Sequence, residues 1–194
     1  MDSDRLYVIV LAAGMASRFG STKQLADYEG EPLVRRAVRL AESVCAERTV
    51  LVTGNDWQRV HNACAPLQGF LVRNEEYASG MGSSISRGVK AVAGVADAVL
   101  VLLADQPLIT TQYLQDLIGQ WNGSTDSIVC SEFSDAKGPP IIFPARYFGD
   151  LTRLDGDMGA RVVLETHQNN VVGLPCEAAA TDIDTIEDLA ETKP

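Results

Sequence analysis

Residues 98–104 read Ala-Val-Leu-Val-Leu-Leu-Ala, a stretch without one polar side chain. Such a run has no face to offer water, so it must be covered on both sides, as a central strand is in a parallel sheet packed between helices. The flanking sequence supplies that covering. Residues 6–11 form a second apolar run. Residues 32–44 place Leu33, Ala37, Leu40 and Val44 on one face of a helix with Pro32 near its start, and residues 49–53 are again strand-like, which gives βαβ order. Further along, the pattern predicts helices over 55–65, 83–92, 110–121 and about 157–167. It predicts strands over 70–72, 127–130, 141–143 and 171–174, and a short helix at the C-terminus. No repeat, low-complexity tract or long linker divides the chain, so the expectation is one α/β domain over residues 1–194 with a mostly parallel central sheet.

Composition narrows the function. The 194 residues are 46% hydrophobic and carry a formal net charge of −10, which disfavours nonspecific binding to nucleic acid, whose affinity comes from Lys and Arg on phosphates. No apolar segment reaches membrane-spanning length, and the acidic N-terminal residues resemble no signal peptide, so a cytoplasmic protein without a membrane partner is expected. Cys45, Cys64, Cys130 and Cys176 are scattered, and only His61 and His167 could join them. A zinc site or a disulfide framework is therefore not expected, and the thiols read as small buried hydrophobes.

Residues 11–23, Leu-Ala-Ala-Gly-Met-Ala-Ser-Arg-Phe-Gly-Ser-Thr-Lys, open where the first strand ends. Ligands of open α/β sheets bind at that edge, and a loop of small residues lets backbone N–H groups approach phosphate oxygens. Gly14 and Gly20 supply freedom, and Arg18 and Lys23 supply two cations. The spacing is neither that of a P-loop nor that of a G-x-G-x-x-G dinucleotide fingerprint. It reads either as a grip for a nucleoside triphosphate or as a tight strand-to-helix turn with solvated basic residues.

Three other segments bear on that choice. Asp105 follows the apolar run 98–104 and so emerges at the same sheet edge, where it either holds Mg²⁺, which needs few protein carboxylates when phosphates share it, or caps the next helix. In Thr181-Asp182-Ile183-Asp184-Thr185 an extended backbone would project Asp182 and Asp184 to one side as further metal ligands, while Asp184 or Thr185 would equally well start the last helix. Gly80, Gly82, Ser83 and Ser84 precede or begin a helix, where small residues and hydroxyls suit either a base or ribose contact or simple capping.

Together these segments resemble the molybdenum-cofactor-type (MobA-like) nucleotidyltransferases, and within them the cytidylyltransferase branch. The likeness spans nearly the whole chain: the L-A-A-G-x-x-x-R-F-G-x-x-K opening, residues 79–84, Ala104-Asp105-Gln106-Pro107, residues 138–144, residues 154–161 and Asp182-Ile183-Asp184-Thr185. It implies a three-layer, Rossmann-like nucleotide-diphospho-sugar transferase fold and Mg²⁺-dependent transfer of CMP from CTP to the phosphate of a pterin cofactor, with pyrophosphate released. Transient contact with a molybdenum-dependent oxidoreductase is implied as well. The resemblance places Leu11, Ala12, Ala13, Gly14, Gly80, Gly82, Ser83 and Ser84 against the nucleotide, Arg18 and Lys23 on its phosphates, and Asp105 on the metal with Asp182 and Asp184 as candidate partners. Ala13 stands where GTP-using relatives more often have glycine. Pro139 replaces the polar residue many relatives carry between Gly138 and Pro140, and residues 21–24 lack the acidic residue often found just before the lysine. Asp157 and Arg161 read either as acceptor contacts or as a helix cap and a surface ion pair. Guanylyl transfer, another phosphorylated acceptor, or a noncatalytic role in holding the pterin are the alternatives.

Overall fold

The computed structural model of the chain describes residues 5–14, 19, 22–134 and 136–192. In chain order the elements are β1 (Leu6–Ala12), β2 (Asp27–Tyr28), β3 (Glu31–Pro32), α1 (Leu33–Cys45), β4 (Thr49–Thr53), α2 (Trp57–Ala63), β5 (Phe70–Arg73), α3 (Met81–Val92), β6 (Ala98–Leu103) and α4 (Thr111–Trp121). They continue with β7 (Ile128–Phe133), β8 (Ala136–Pro144), α5 (Phe148–Leu151), α6 (Arg161–Thr166), β9 (Val171–Pro175) and α7 (Ile186–Glu191), with short 3₁₀ turns between some of them.

Seven strands form one sheet in the order β5-β4-β1-β6-β8-β7-β9. β5, β4, β1 and β6 run parallel, β8 lies antiparallel between β6 and β7, and β9 pairs parallel with β7. Every residue of β6 is buried, as a strand without a polar face requires. Alternate side chains of β1 divide two cores. Leu6, Val8, Val10 and Ala12 pack with Val34, Val38 and Ala41 of α1 and Leu114 and Leu117 of α4. Ile9 and Leu11 pack on the other face with Ile85 and Val89 of α3 and Leu151 of α5. The architecture is thus helix, sheet, helix.

Two elements differ instructively from the sequence reading. The strand expected over 141–143 extends over Ala136–Pro144 and runs antiparallel. Pro139 and Pro140 lack N–H donors, yet they fit because the β7 register jumps between Cys130 and Ser131, whose partners are Ile141 and Gly138. The prolines therefore fall at a bulge, where the ladder asks nothing of them. The helix expected from about 157 to 167 is only α6, because residues 155–159 form a loop, with Gly156 at φ +59°, that packs against the start of α3.

Candidate active site

The chain passes from β1 to β4 on one side and later places β6 on the other, so the β1–β6 junction is the switch point of the parallel part of the sheet. Leu11 is in register with Leu103, and the Ala104 N–H donates to the Leu11 carbonyl at 3.2 Å. Gly14 and Asp105 consequently emerge on the same edge. A cavity of about 490 Å³ opens there, lined by Leu11, Ala13, Gly14, Lys23, Gln24, Tyr77, Gly80, Ser84, Asp105, Asp157 and Asp184 among others. Ala12 does not line it, since strand alternation turns that residue into the core beneath α1.

Lys23 is brought to the edge by packing around its own segment. Phe19, Tyr28 and Leu33 bury against Ile183. Gln24 Nε2 donates to the Gly14 carbonyl at 2.9 Å, and the Thr22 hydroxyl bonds the Asp56 carboxylate. The Lys23 side chain is left 13% exposed, with Nζ donating to Asp105 Oδ2 at 2.7 Å and to Asp184 Oδ1 at 2.9 Å. Burial pulls its ammonium pKa down, but the Asp105 charge and the hydrogen bonds to both carboxylates outweigh it and hold the group above its ordinary value.

Asp182 and Asp184 flank Ile183, which is fully buried and whose N–H donates to the Asp105 carbonyl at 2.9 Å. Asp184 lines the cavity and reaches Lys23, whereas Asp182 does not line it but is near enough to Asp105 to feel its charge. Desolvation by the surrounding protein, and then the neighbouring Asp105 charge, push the Asp182 carboxyl up to about 6, even though the residue still reaches solvent. The capping alternatives are taken by other residues. Thr185 caps α7 in a reciprocal box with Asp188, and Thr110 caps α4 by accepting from the Tyr113 N–H. Asp105 and Asp184 are thus free of helix-end duty.

These carboxylates suit a hard cation. Asp105 Oδ1 is buried with no hydrogen-bond partner among the described residues, and it stands beside Asp182 and Asp184. Among the described residues, however, no group of three or more His, Cys, Asp or Glu side chains is arranged to hold a metal ion. Any ion would share its coordination with ligand oxygens and water, which is the usual habit of Mg²⁺.

The glycines separate into two kinds. A Cβ on Gly80 would fall 2.3 Å from the Gly156 carbonyl carbon, and one on Gly82 would fall 2.7 Å from the Met158 oxygen. Both are needed for close packing of the α3 N-terminus on the 155–159 loop, and Gly82 does not line the cavity. A Cβ on Gly14 would meet only Gln24 Nε2, at an ordinary 3.6 Å, so the fold itself leaves room for a side chain there. Ser84 lines the cavity, whereas Ser83 turns away and donates to the Glu76 and Gly80 carbonyls. Arg18 and Gly20 lie outside the described residues. Asp157 lines the cavity, and Arg161 pairs with Glu165 one helical turn on. Sequence reasoning did not mark Gln24, Tyr77 or Asn74. Their signals are a glutamine beside the basic residue, an aromatic in a turn and an asparagine ending a strand, none of which is distinctive.

Cys45, Cys64 and Cys130 are buried free thiols. Burial pushes the Cys64 thiol up to about 12 and the Cys130 thiol up to about 11, which makes both poor nucleophiles. No helix among the described residues is long and apolar enough to cross a membrane.

Residues 8–171 match the MobA-like NTP transferase domain family. The purine catabolism protein PucB of Bacillus subtilis is 30% identical to the chain, with 97% of this chain and 93% of PucB covered. Nicotine blue oxidoreductase of Paenarthrobacter nicotinovorans is 32% identical, with 93% of each covered. Among solved structures, Rv0371c of Mycobacterium tuberculosis superposes with a TM-score of 0.82 at 26% identity over 98% of both chains. The same protein has also been solved in complex with manganese, at a TM-score of 0.80 and 25% identity over 96% of this chain and 97% of that one.

Proposed function

The chain belongs to the MobA-like NTP transferase family, and from that premise we propose that it transfers CMP from CTP to the phosphate of a molybdopterin cofactor and releases pyrophosphate. One observation carries the reading: Lys23 stands between Asp105 and Asp184 at the edge where Gly14 follows β1. On a chain of net charge −10, a triphosphate must find its cations locally, and Lys23 is a half-buried cation lining the cavity. Gly14, with no fold-imposed need for glycine, leaves its backbone open to a phosphate oxygen.

In the reaction an ionised oxygen of the acceptor phosphate attacks the α-phosphorus of CTP. A new P–O bond forms as the bond from the α-phosphorus to the β-bridging oxygen breaks, and the electron pair leaves with pyrophosphate. An ionised acceptor needs no general base, which agrees with a cavity lined, among the described residues, by neither His nor Cys. Lys23 passes from its carboxylates to the phosphates and offsets charge on the leaving group, with Arg18 as the second cation of the same segment. Asp105, with Asp182 or Asp184, would hold a divalent ion, which supplies Lewis-acid neutralisation of the triphosphate. The manganese complex of Rv0371c supports a divalent ion in such a fold. Ala13, buried and lining the cavity, favours the cytidylyl reading over the guanylyl one.

The test is pyrophosphate release measured with each of the four nucleoside triphosphates against a panel of phosphorylated acceptors that includes molybdopterin. Turnover with CTP and molybdopterin above all other pairs is expected. A preference for GTP would overturn the base assignment, and a preference for another acceptor would overturn the pterin. The name of the P. nicotinovorans relative favours a second reading, redox chemistry. That reading predicts oxidation of an added electron donor by an added acceptor in the same preparations.

A further inference from the structure

Asn74 follows β5 and is 3% exposed. Its backbone N–H donates to the Thr53 carbonyl at 2.7 Å, tying the end of β5 to the end of β4. Its side-chain Oδ1 accepts from the Glu76 N–H at 3.0 Å. A backbone N–H can only donate, so the orientation of the amide follows: oxygen toward Glu76, nitrogen toward α3. The two protons of Nδ2 are directed at Ser83 Oγ, at 2.8 Å, and Ser84 Oγ, at 3.0 Å. Both serine oxygens are therefore acceptors, and each hydroxyl must send its own proton elsewhere.

Ser83 sends its proton inward, with the Gly80 carbonyl at 2.8 Å and the Glu76 carbonyl at 3.0 Å. Ser84 is 5% exposed and lines the cavity, and among the described residues its hydroxyl accepts from Asn74 and donates to no partner. A nearly buried donor left unpartnered is costly unless a ligand or water completes it.

We propose that Asn74 is a positioning residue that fixes Ser84 as a hydrogen-bond donor into the cavity, so that the atom of the bound nucleotide facing Ser84 is an acceptor: a base carbonyl, an unprotonated ring nitrogen or a sugar oxygen. An amino group at that place is rejected. This rests on the nucleotide reading of the cavity.

The decisive variant is Asn74→Asp. It keeps the shape and the oxygen that faces Glu76, but its second oxygen can only accept, so Ser84 must turn its proton toward residue 74 and present lone pairs to the cavity. CTP affinity, measured by calorimetry with a divalent ion present, falls at least about tenfold in Asn74→Asp, as it does in Ser84→Ala. In the double variant the Asn74→Asp loss disappears, because no hydroxyl remains to be turned. Equal losses from Asn74→Asp with and without Ser84 would overturn the proposal, as would wild-type affinity in Asn74→Asp. A second measurement needs neither nucleotide nor the Asp variant. In the wild type both Asn74 side-chain amide protons exchange slowly by NMR, and Ser84→Ala deprotects one of them. Unchanged protection in Ser84→Ala would overturn the hydrogen-bond polarity. A wild type that binds no nucleotide would instead overturn the reading of the cavity, while the amide protons still report on Asn74.

Discussion

Lys23→Met removes the ammonium and keeps most of the apolar stem. Exposed ion pairs contribute about 0.2–1 kcal/mol, whereas breaking a buried one costs about 3–5 kcal/mol. The Lys23–Asp105 pair lies between these limits, with side chains 13% and 25% exposed, and Asp184, 54% exposed, adds little. A loss of about 2 kcal/mol follows, which for a chain of this size lowers Tm by about 4–8 °C. The same change frees Asp105 and Asp184 from a competing cation. Mn²⁺ or Mg²⁺ therefore raises Tm more in Lys23→Met than in the wild type when no nucleotide is present, because an ion that binds only the folded state stabilises it by mass action. Turnover moves the other way. With one positioned charge gone from the leaving group, kcat falls about 10²–10³-fold. Scanning fluorimetry with and without the metal, paired with the pyrophosphate assay, reads all three effects. A variant as stable as the wild type, indifferent to metal and fully active would refute the assignment of Lys23 to both the carboxylates and the phosphates.

Gly14→Ala leaves Tm within about 1 °C, since the new Cβ meets only Gln24 at an ordinary distance, but weakens CTP binding by blocking the backbone; calorimetry beside a melting curve checks both halves. Gly82→Ala lowers stability by about 1–3 kcal/mol in urea unfolding, because its Cβ is forced to within 2.7–2.8 Å of the Met158 and Asp155 backbone. Thr185→Ala costs about 1 kcal/mol through the lost cap of α7. Asp188 accepts from the Asp184 and Thr185 N–H groups, which hold its carboxyl below the ordinary 3.8. Its contribution to stability is thus fully present above that value and fades as pH falls below it. Urea midpoints of the wild type and Asp188→Asn, compared at pH 7 and pH 3, converge at the lower pH.

Much of this was legible before the structure because apolar periodicity reports burial directly. The unbroken 98–104 run could only be a covered strand, and Ile183 is buried between the exposed Asp182 and Asp184, as alternation along an extended segment requires. What could not be read depends on pairing partners far away in sequence. The antiparallel β8 hid behind Pro139 and Pro140, since nothing local announces that a bulge in β8, opposite Cys130 and Ser131, will excuse two missing donors. Gly80 and Gly82 read as room for a ligand, and the structure shows both also making room for the 155–159 loop, with Gly80 still lining the cavity. Whether Asp184 capped a helix or met a cation turned on Thr185 taking the cap and on Lys23 arriving from 161 residues away. Asn74 was invisible because its importance lies in which way one hydroxyl proton points.

Nucleotidyl transfer at the Lys23–Asp105 edge is read in the fate of labelled phosphorus. The purified protein is incubated with a divalent ion, the phosphorylated pterin and CTP labelled in turn at the α- and the γ-phosphorus, with Asp105→Asn as the folded control. Nucleotidyl transfer puts α-label covalently on the acceptor and γ-label only in pyrophosphate, and Asp105→Asn transfers neither. Transfer of γ-label to the acceptor, release of α-label as free CMP with none on the acceptor, or full transfer by Asp105→Asn would contradict it.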